Sequence, residues 1–376
     1  MNIWIRADGN EEIASGHLRR TLTIAEALRR EGEEALFLLA NEESRDVFLQ
    51  LTDGNRSRWR YLLLGCTYAD LKGELKRTEE LMRAGVPDVL LVDSYAATPE
   101  YYERLKETAS SCRIACLDDL MAFDPPVDLV INYAPDIAAA EAFYHHASVR
   151  LLGPEYAPLR TQFSGLEPEV RESVSRILIT TGGSDPFGMA DAAAEAVRRA
   201  LPEAEDADSR TLPSGAAERH RRTLPDVQET DSRARRPVEL VFAGPGHPYV
   251  SNMAALLSKC DLAVSAGGTT LYELCAAGVP TIAFSMADNQ RIFARKMAAA
   301  GACTYAGDVQ DAKERRRVLQ KITQWVRRRC GDTGNSDNNG SVDAGLMLRR
   351  RESARMHVIT DGCGADRIAG QLRKLL

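Results

Sequence analysis

A few stretches of this chain combine residue types and spacings that suit chemistry on a phosphate-bearing ligand. The densest runs from Asp261 to Gln290. Leu262-Ala263-Val264 has the length and apolar character of a buried parallel strand. Ser265-Ala266-Gly267-Gly268-Thr269 follows, then a helical pattern from Thr270 to Ala277. A strand, a two-glycine turn and a helix start make an anion site. Glycine lets the backbone approach a phosphate, and unpaired N–H groups at the positive end of the helix dipole favour negative charge. Glu273, one turn into the helix, suits the hydroxyls of a ribose. Asn289-Gln290 opens another helix. A second glycine turn, Thr181-Gly182-Gly183-Ser184-Asp185, follows the apolar run Ile177-Leu178-Ile179. Its Ser184 and Asp185 are helix N-caps first and ligands second.

The other reactive group lies near the front of the chain. A strand-like run ends at Asp8, and Ser15-Gly16-His17 then starts a helix with apolar positions Leu18, Leu22, Ala25 and Leu28, for which Ser15 is an N-cap candidate. An imidazole at the first turn of a helix meets the positive dipole end, which disfavours its charged form. A neutral imidazole accepts a proton from water or a hydroxyl. Taken alone, a histidine here is more often a satisfied buried contact than a base. Beside Gly16, and in a chain that also carries the glycine-rich stretch, the balance turns to the base. Asp8 and Asp93 each follow a strand and serve equally well to orient an imidazole or to cap backbone N–H groups. Tyr95 is either a sugar contact or a packed loop aromatic. Arg160 either faces phosphate charge or pins its segment through an ion pair.

Composition narrows the classes. Of 376 residues 44% are hydrophobic, enough for two ordinary cores. The balance of 48 basic and 54 acidic residues gives a charge of −6 and argues against a nucleic-acid partner. No apolar run approaches the roughly 18 residues of a membrane span. Met1 to Arg6 reads as a first strand and not as a leader, so a cytoplasmic location is expected. The 8 cysteines lack a Cys-x-x-Cys pair and the 6 histidines lack metal-ligand spacing. The expectation is reduced thiols, no cofactor, no metal and a monomer.

The elements that must position these residues alternate strand and helix, the pattern of α/β folds with parallel sheets. An N-terminal Rossmann-like domain is expected over 1–152 and a Pro-stiffened linker over 153–173. A second Rossmann-like domain then runs over 174–376, with a cleft between the two. Val89-Leu90-Leu91-Val92, Ile114 to Leu117 and Leu129 to Ile131 are strands, with polar groups just beyond their ends at Asp93 to Tyr95, Asp118-Asp119 and Asn132. Two stretches, about 202–237 and 331–345, are polar, low in complexity and read as loosely structured insertions. Asn41 to Ala84 shows mixed patterns that periodicity does not resolve.

Arg6-Ala7-Asp8, Ser15-Gly16-His17-Leu18-Arg19-Arg20, Val92-Asp93-Ser94-Tyr95, Leu117-Asp118-Asp119, Gly153 to Arg160, Gly182 to Asp185, Ser265 to Glu273, Asn289-Gln290 and Asp361 to Arg367 occur in this order along nearly the whole chain. Together they resemble the UDP-sugar hydrolases of pseudaminic acid biosynthesis, which release a diacetamido-trideoxy-altrose from UDP. That family is itself similar to spore-coat polysaccharide glycosyltransferases and to GT-B enzymes such as the lipid-II N-acetylglucosaminyltransferase. The resemblance implies a GT-B-like pair of domains and a UDP-sugar substrate, with UDP gripped by Gly267, Gly268, Thr269, Thr270 and Glu273. It also implies that His17 acts as general base in an inverting, metal-independent hydrolysis. One departure is Ala14, where the family pattern has glycine two residues before the Gly-His pair.

Overall fold

The structure is a computed structural model that describes all residues except 14, 53–57, 208–236, 249 and 332–342. The chain divides into two compact units, 1–165 with 362–376, and 166–361. Each carries one all-parallel sheet.

Unit 1 begins with β1 (Ile3–Ala7), α1 (Gly16–Arg30), β2 (Ala35–Leu39), α2 (Glu42–Leu51), β3 (Arg60–Leu63) and α3 (Leu71–Gly85). It continues with β4 (Val89–Asp93), α4 (Pro99–Thr108), β5 (Arg113–Leu117), β6 (Leu129–Asn132), α5 (Ile137–Phe143) and β7 (Val149–Leu152). The strand order is β3-β2-β1-β4-β5-β6-β7. β1 and β4 are buried along their whole length because helices cover both faces, which explains why they read as unbroken apolar runs and not as alternation. The helices open on polar side chains that satisfy otherwise orphaned N–H groups. Asn41 accepts from Ser44 N, and Thr98 accepts from Tyr101 N with Pro99 at the first helical position. The unresolved region of the sequence thus holds α2, β3 and α3.

One charged residue sits inside the core of this sheet. Arg6 on β1 is fully buried and donates to both oxygens of Glu74 on α3, at 2.8 and 2.6 Å. The Tyr101 hydroxyl of α4 donates to the same carboxylate at 2.7 Å. A buried cation demands such partners, and here they tie two helices to the central strand.

Unit 2 contains β8 (Arg176–Thr180), α6 (Met189–Ala200), β9 (Glu205–Asp206), β10 (Glu239–Ala243), α7 (Met253–Leu257), β11 (Leu262–Ala266) and α8 (Thr270–Ala276). β12 (Thr281–Ser285), α9 (Asp288–Ala300), β13 (Thr304–Asp308), α10 (Ala312–Cys330) and α11 (Ala344–Ile359) complete it. Its strand order is β13-β12-β11-β8-β10-β9. Ile177, Ile179, Val264, Ile282 and Phe284 from the strands pack with Val197, Val318, Ile322 and Val326 from α6 and α10. The long basic α10 is therefore amphipathic, its apolar stripe closing one face of the sheet. The polar stretch expected as an insertion over 202–237 contributes β9, which pairs with β10 through Glu239 and Leu240. Most of that stretch and most of 331–345 lie outside the described residues.

The sequence reading carried the second domain to residue 376, but the last helix, α12 (Gly364–Arg373), belongs to unit 1. It packs along α1, burying Ile368, Ala369 and Leu372. Arg373 pairs with Glu31, and Asp366 with Arg30. Both returning glycines are required by close approach. A Cβ on Gly362, where φ is +80°, would meet the Phe163 carbonyl oxygen at 2.1 Å. One on Gly364 would meet that of Ala157 at 2.2 Å.

Candidate active site

In unit 1 the strand order reverses at β1, with β2 and β3 to one side and β4 to β7 to the other. Loops leaving the carboxyl ends of β1 and β4 part there, and ligands of open parallel sheets bind at such a switch point. His17 and Asp93 meet at this position. α1, which follows β1, carries His17 in its first turn, and Asp93 is the last residue of β4. His17 Nδ1 lies 2.6 Å from Asp93 Oδ1, and both side chains are almost wholly buried.

Partners fix the tautomer. Burial pushes the Asp93 carboxyl up, but the Arg20 charge and hydrogen bonds, then His17, more than offset this and hold it below the usual carboxylate range. An ionised carboxylate only accepts, so the proton in the 2.6 Å contact sits on Nδ1. The carboxylate thus orients the ring through Nδ1, and Nε2 is the nitrogen that would exchange a proton with a ligand. The Tyr95 ring stands edge-on to the imidazole, with centroids 4.3 Å apart, and is 46% exposed, so it offers an aromatic face beside that ring. Its hydroxyl donates to Asp119 Oδ2 at 3.2 Å. Gly16 leaves open space where a side chain would project. Ser15 precedes α1 without capping it; its Oγ accepts from Arg19 Nε instead.

The other unit 1 residues selected from sequence have structural duties. Asp8 Oδ1 accepts from Ala40 N at 2.8 Å, fastening the end of β2. Asp8 Oδ2 lies 2.5 Å from Arg6 Nη2, an ion pair without the alignment of a hydrogen bond. Asp8 is buried to 2% exposure, and of the two roles open to it from sequence the bond to Ala40 N is the backbone-capping one. Arg160 heads a single turn of 3-10 helix, its guanidinium 5.7 Å from the centre of the Phe163 ring.

The sequence reading gave no role to Arg20, one turn after His17 on α1. Its Nε and Nη2 grip both oxygens of Asp93 at 2.6 and 2.5 Å. Its Nη1 donates to Asp119 Oδ2 at 2.6 Å and to the Tyr133 hydroxyl at 2.8 Å. The signal was the i, i+3 spacing from His17 together with carboxylates beyond two strand ends.

In unit 2 the order reverses at β8, between β11 and β10. The turns after β8 and β11 carry Gly182-Gly183 and Gly267-Gly268, so both glycine pairs flank the switch point of their own sheet. The assignment of free N–H groups changes in detail. Gly267 N donates to Phe284 O at 2.7 Å and Gly268 N to Ala266 O at 2.9 Å. Gly267 serves close packing, since a Cβ there would lie 2.7 Å from that of Ala294 on α9. Among the described residues, the amides of this turn with no backbone acceptor are those of Thr269 and Thr270, where α8 begins. Thr269 is exposed, Gly268, Thr270 and Glu273 are half-buried, and Ser265 is buried with its hydroxyl donating to Ala266 O. Gly183 and Ser184 are exposed, while Asp185 caps α6 by accepting from Met189 N and Ala190 N. Gln290 folds back to accept from Met286 N, and Asn289 Oδ1 accepts from Gln290 N. These bonds order the start of α9 and leave Asn289 exposed.

Comparison with solved structures identifies this architecture. A spinosyn rhamnosyltransferase complexed with thymidine diphosphate aligns over 100% of both chains at 16% identity and a TM-score of 0.55. TcCGT1 in complex with UDP aligns over 100% of this chain and 99% of its own at 11% identity, again with a TM-score of 0.55. The chain has the GT-B glycosyltransferase fold. Residues 177–344, within unit 2, match the glycosyltransferase family 28 C-terminal domain. The spore coat polysaccharide biosynthesis protein SpsG of Bacillus subtilis is 25% identical over 82% of this chain and 84% of its own length. A Helicobacter pylori protein named as a pseudaminic acid cytidylyltransferase and UDP-2,4-diacetamido-2,4,6-trideoxy-beta-L-altropyranose hydrolase is 23% identical over 83% of this chain. The match spans 50% of that longer protein. The solved structures show the fold alone, and the two named relatives, at 25% identity or less, are distant ones. Among the described residues, no helix is long and apolar enough to cross a membrane.

Proposed function

We propose that this GT-B protein hydrolyses a UDP-linked diacetamido-trideoxyhexose to UDP and the free sugar, as a step of pseudaminic acid biosynthesis. The observation that carries the reading is the His17–Asp93 pair, Nδ1 held 2.6 Å from the carboxylate at a switch point. Water attacks the anomeric carbon from the face opposite UDP and gives its proton to Nε2. The bond from that carbon to the phosphate oxygen breaks, UDP leaves with the electron pair, and the anomeric centre inverts. Tyr95 offers an aromatic contact for the sugar. In unit 2, the Thr269 and Thr270 amides with Gly183, Ser184 and Gly268 are assigned to the phosphates, Glu273 to the ribose, and Asn289 to the sugar side. Donors fixed in advance at a developing negative charge stabilise the departing group without reorganisation. The name of the Helicobacter relative supports water as the acceptor.

A second reading has its own support. The family 28 match and the glycosyltransferase neighbours favour transfer to an acceptor hydroxyl, with His17 taking that proton instead. Incubation with UDP-sugars in the absence of any acceptor, followed by NMR of UDP and of the product anomer, separates the two. Release with inversion is the expected result; release only when an acceptor is added establishes the transferase. His17→Ala is expected to keep UDP affinity within about twofold while turnover falls about 10²- to 10⁴-fold, the range for loss of a general base. Parallel loss of both removes His17 from the chemistry.

A further inference from the structure

His17 does not stand beside Asp93 alone. Arg20 Nη2 lies 3.1 Å from the same Nδ1 that donates to Asp93. Since Nδ1 carries a proton and a guanidinium only donates, this approach is no hydrogen bond. It places a fixed positive charge against the imidazole. An isolated carboxylate at 2.6 Å would favour the imidazolium strongly. Arg20, bidentate on that carboxylate, opposes this pull while leaving the carboxylate in contact with the ring.

We propose that Arg20 is the positioning residue of this site, holding Asp93 as the orienting acceptor for His17 Nδ1 and setting its own fixed charge against the ring. Asp119, on the far side of the guanidinium, is the counterweight that sets how much of that charge the ring feels. The inference rests on His17 being the base. Every element packed around the ring contributes to its field. α1 brings Arg20, the end of β4 brings Asp93 and Tyr95, the loop after β5 brings Asp119, and the end of β6 brings Tyr133. At the end of β1, Arg6, Asp8 and Glu74 pair among themselves. Tyr68 lies near enough to feel Asp8, Glu12 and Asp93 and stays a neutral phenol, burial adding to their effect.

The two charges make predictions of opposite sign, which a merely structural role does not. Arg20→Gln removes the repelling charge, so the acid limb of the pH profile of kcat/KM moves up by about one unit or more. Asp119→Asn, at a half-exposed position, strengthens the field of Arg20 and moves the same limb down. Arg20→Lys keeps the charge without the fork, so the limb stays near its wild-type position while kcat falls about tenfold. The His17 ring is followed in parallel by 15N NMR titration of the intact protein, which needs no substrate. The neutral ring is expected as the Nδ1–H tautomer, with its midpoint moving in the directions just given. Wild-type protein that cleaves no UDP-sugar but shows these NMR shifts refutes the proposed reaction and upholds the role of Arg20. Folded Arg20→Gln and Asp119→Asn proteins whose midpoints match wild type, or move together, overturn it. If Arg20→Gln does not fold, the downward shift in Asp119→Asn supports the proposal and its absence overturns it.

Discussion

At the scale of single residues, the site depends on an ionised carboxylate kept inside the protein. Burial alone would drive Asp93 neutral, and the Arg20 fork prevents this. Replacing Asp93 by Asn supplies an amide N–H that competes for Nδ1 and favours the tautomer protonated at Nε2. The expected cost is about 10²- to 10⁴-fold in turnover, with little change in UDP affinity. A stability signature accompanies it. The folded carboxyl titrates below the ordinary value of 3.8, so the unfolded chain binds more protons between the two values. The stabilisation is therefore complete above about pH 4 and is lost as pH falls below that, through the folded value. Thermal unfolding from pH 6 to pH 2.5 should show the midpoint of the wild type dropping more steeply at the acid end than that of Asp93→Asn. The buried Arg6–Glu74 pair carries no comparable chemistry. It shows that deep charge alone does not mark a catalytic residue; Asp93 is marked by its contact with an imidazole at a switch point.

At the scale of elements, the glycine turn after β11 holds two neighbouring glycines with different duties. Gly267 is a packing residue, with an added Cβ at 2.7 Å from Ala294 Cβ and at 3.3 Å from the Gln290 and Phe284 carbonyl oxygens. Gly268 faces open space. Gly267→Ala is expected to destabilise unit 2 by about 1–3 kcal/mol, since backbone must move. Gly268→Ala should stay within about 0.5 kcal/mol. Urea unfolding of the two variants gives the comparison. Spacing alone does not distinguish them, because the difference lies in where α9 returns, which is set by contacts distant in sequence. The same limit governs the rest. Buried strands such as Val89–Asp93 were legible because parallel strands read as continuous apolar runs, and His17 was legible from the helix start beside Gly16. Ser15 was misread as a cap, and the partners of Asp8 and of the Gly267 amide could not be read, since one side chain or amide has several possible partners. Arg20 passed without a role because its four partners come from α1 itself, β4, the loop after β5 and β6. The short β3 and the two-residue β9 are defined by their pairing with neighbours and not by their own composition.

At the scale of the molecule, the chain forms most of unit 1, then all of unit 2, and returns to finish unit 1 with α12. The apolar contacts of Ile368, Ala369 and Leu372, each worth about 1–3 kcal/mol when fully buried, make α12 part of the first core. A protein ending at residue 361 is expected to lose several kcal/mol from the unfolding of unit 1 while the transition of unit 2 stays in place. Calorimetry resolving two transitions measures this. If the first transition is unmoved, α12 is an accessory and not a core element. The return path has a consequence for ancestry and for engineering alike. A polypeptide that departs near Phe163 and comes home against that same residue, at Gly362, has its middle half grafted into a loop of the outer half. Excising residues 166–361 would therefore leave two ends of unit 1 that already lie close together, near Phe163 and Gly362.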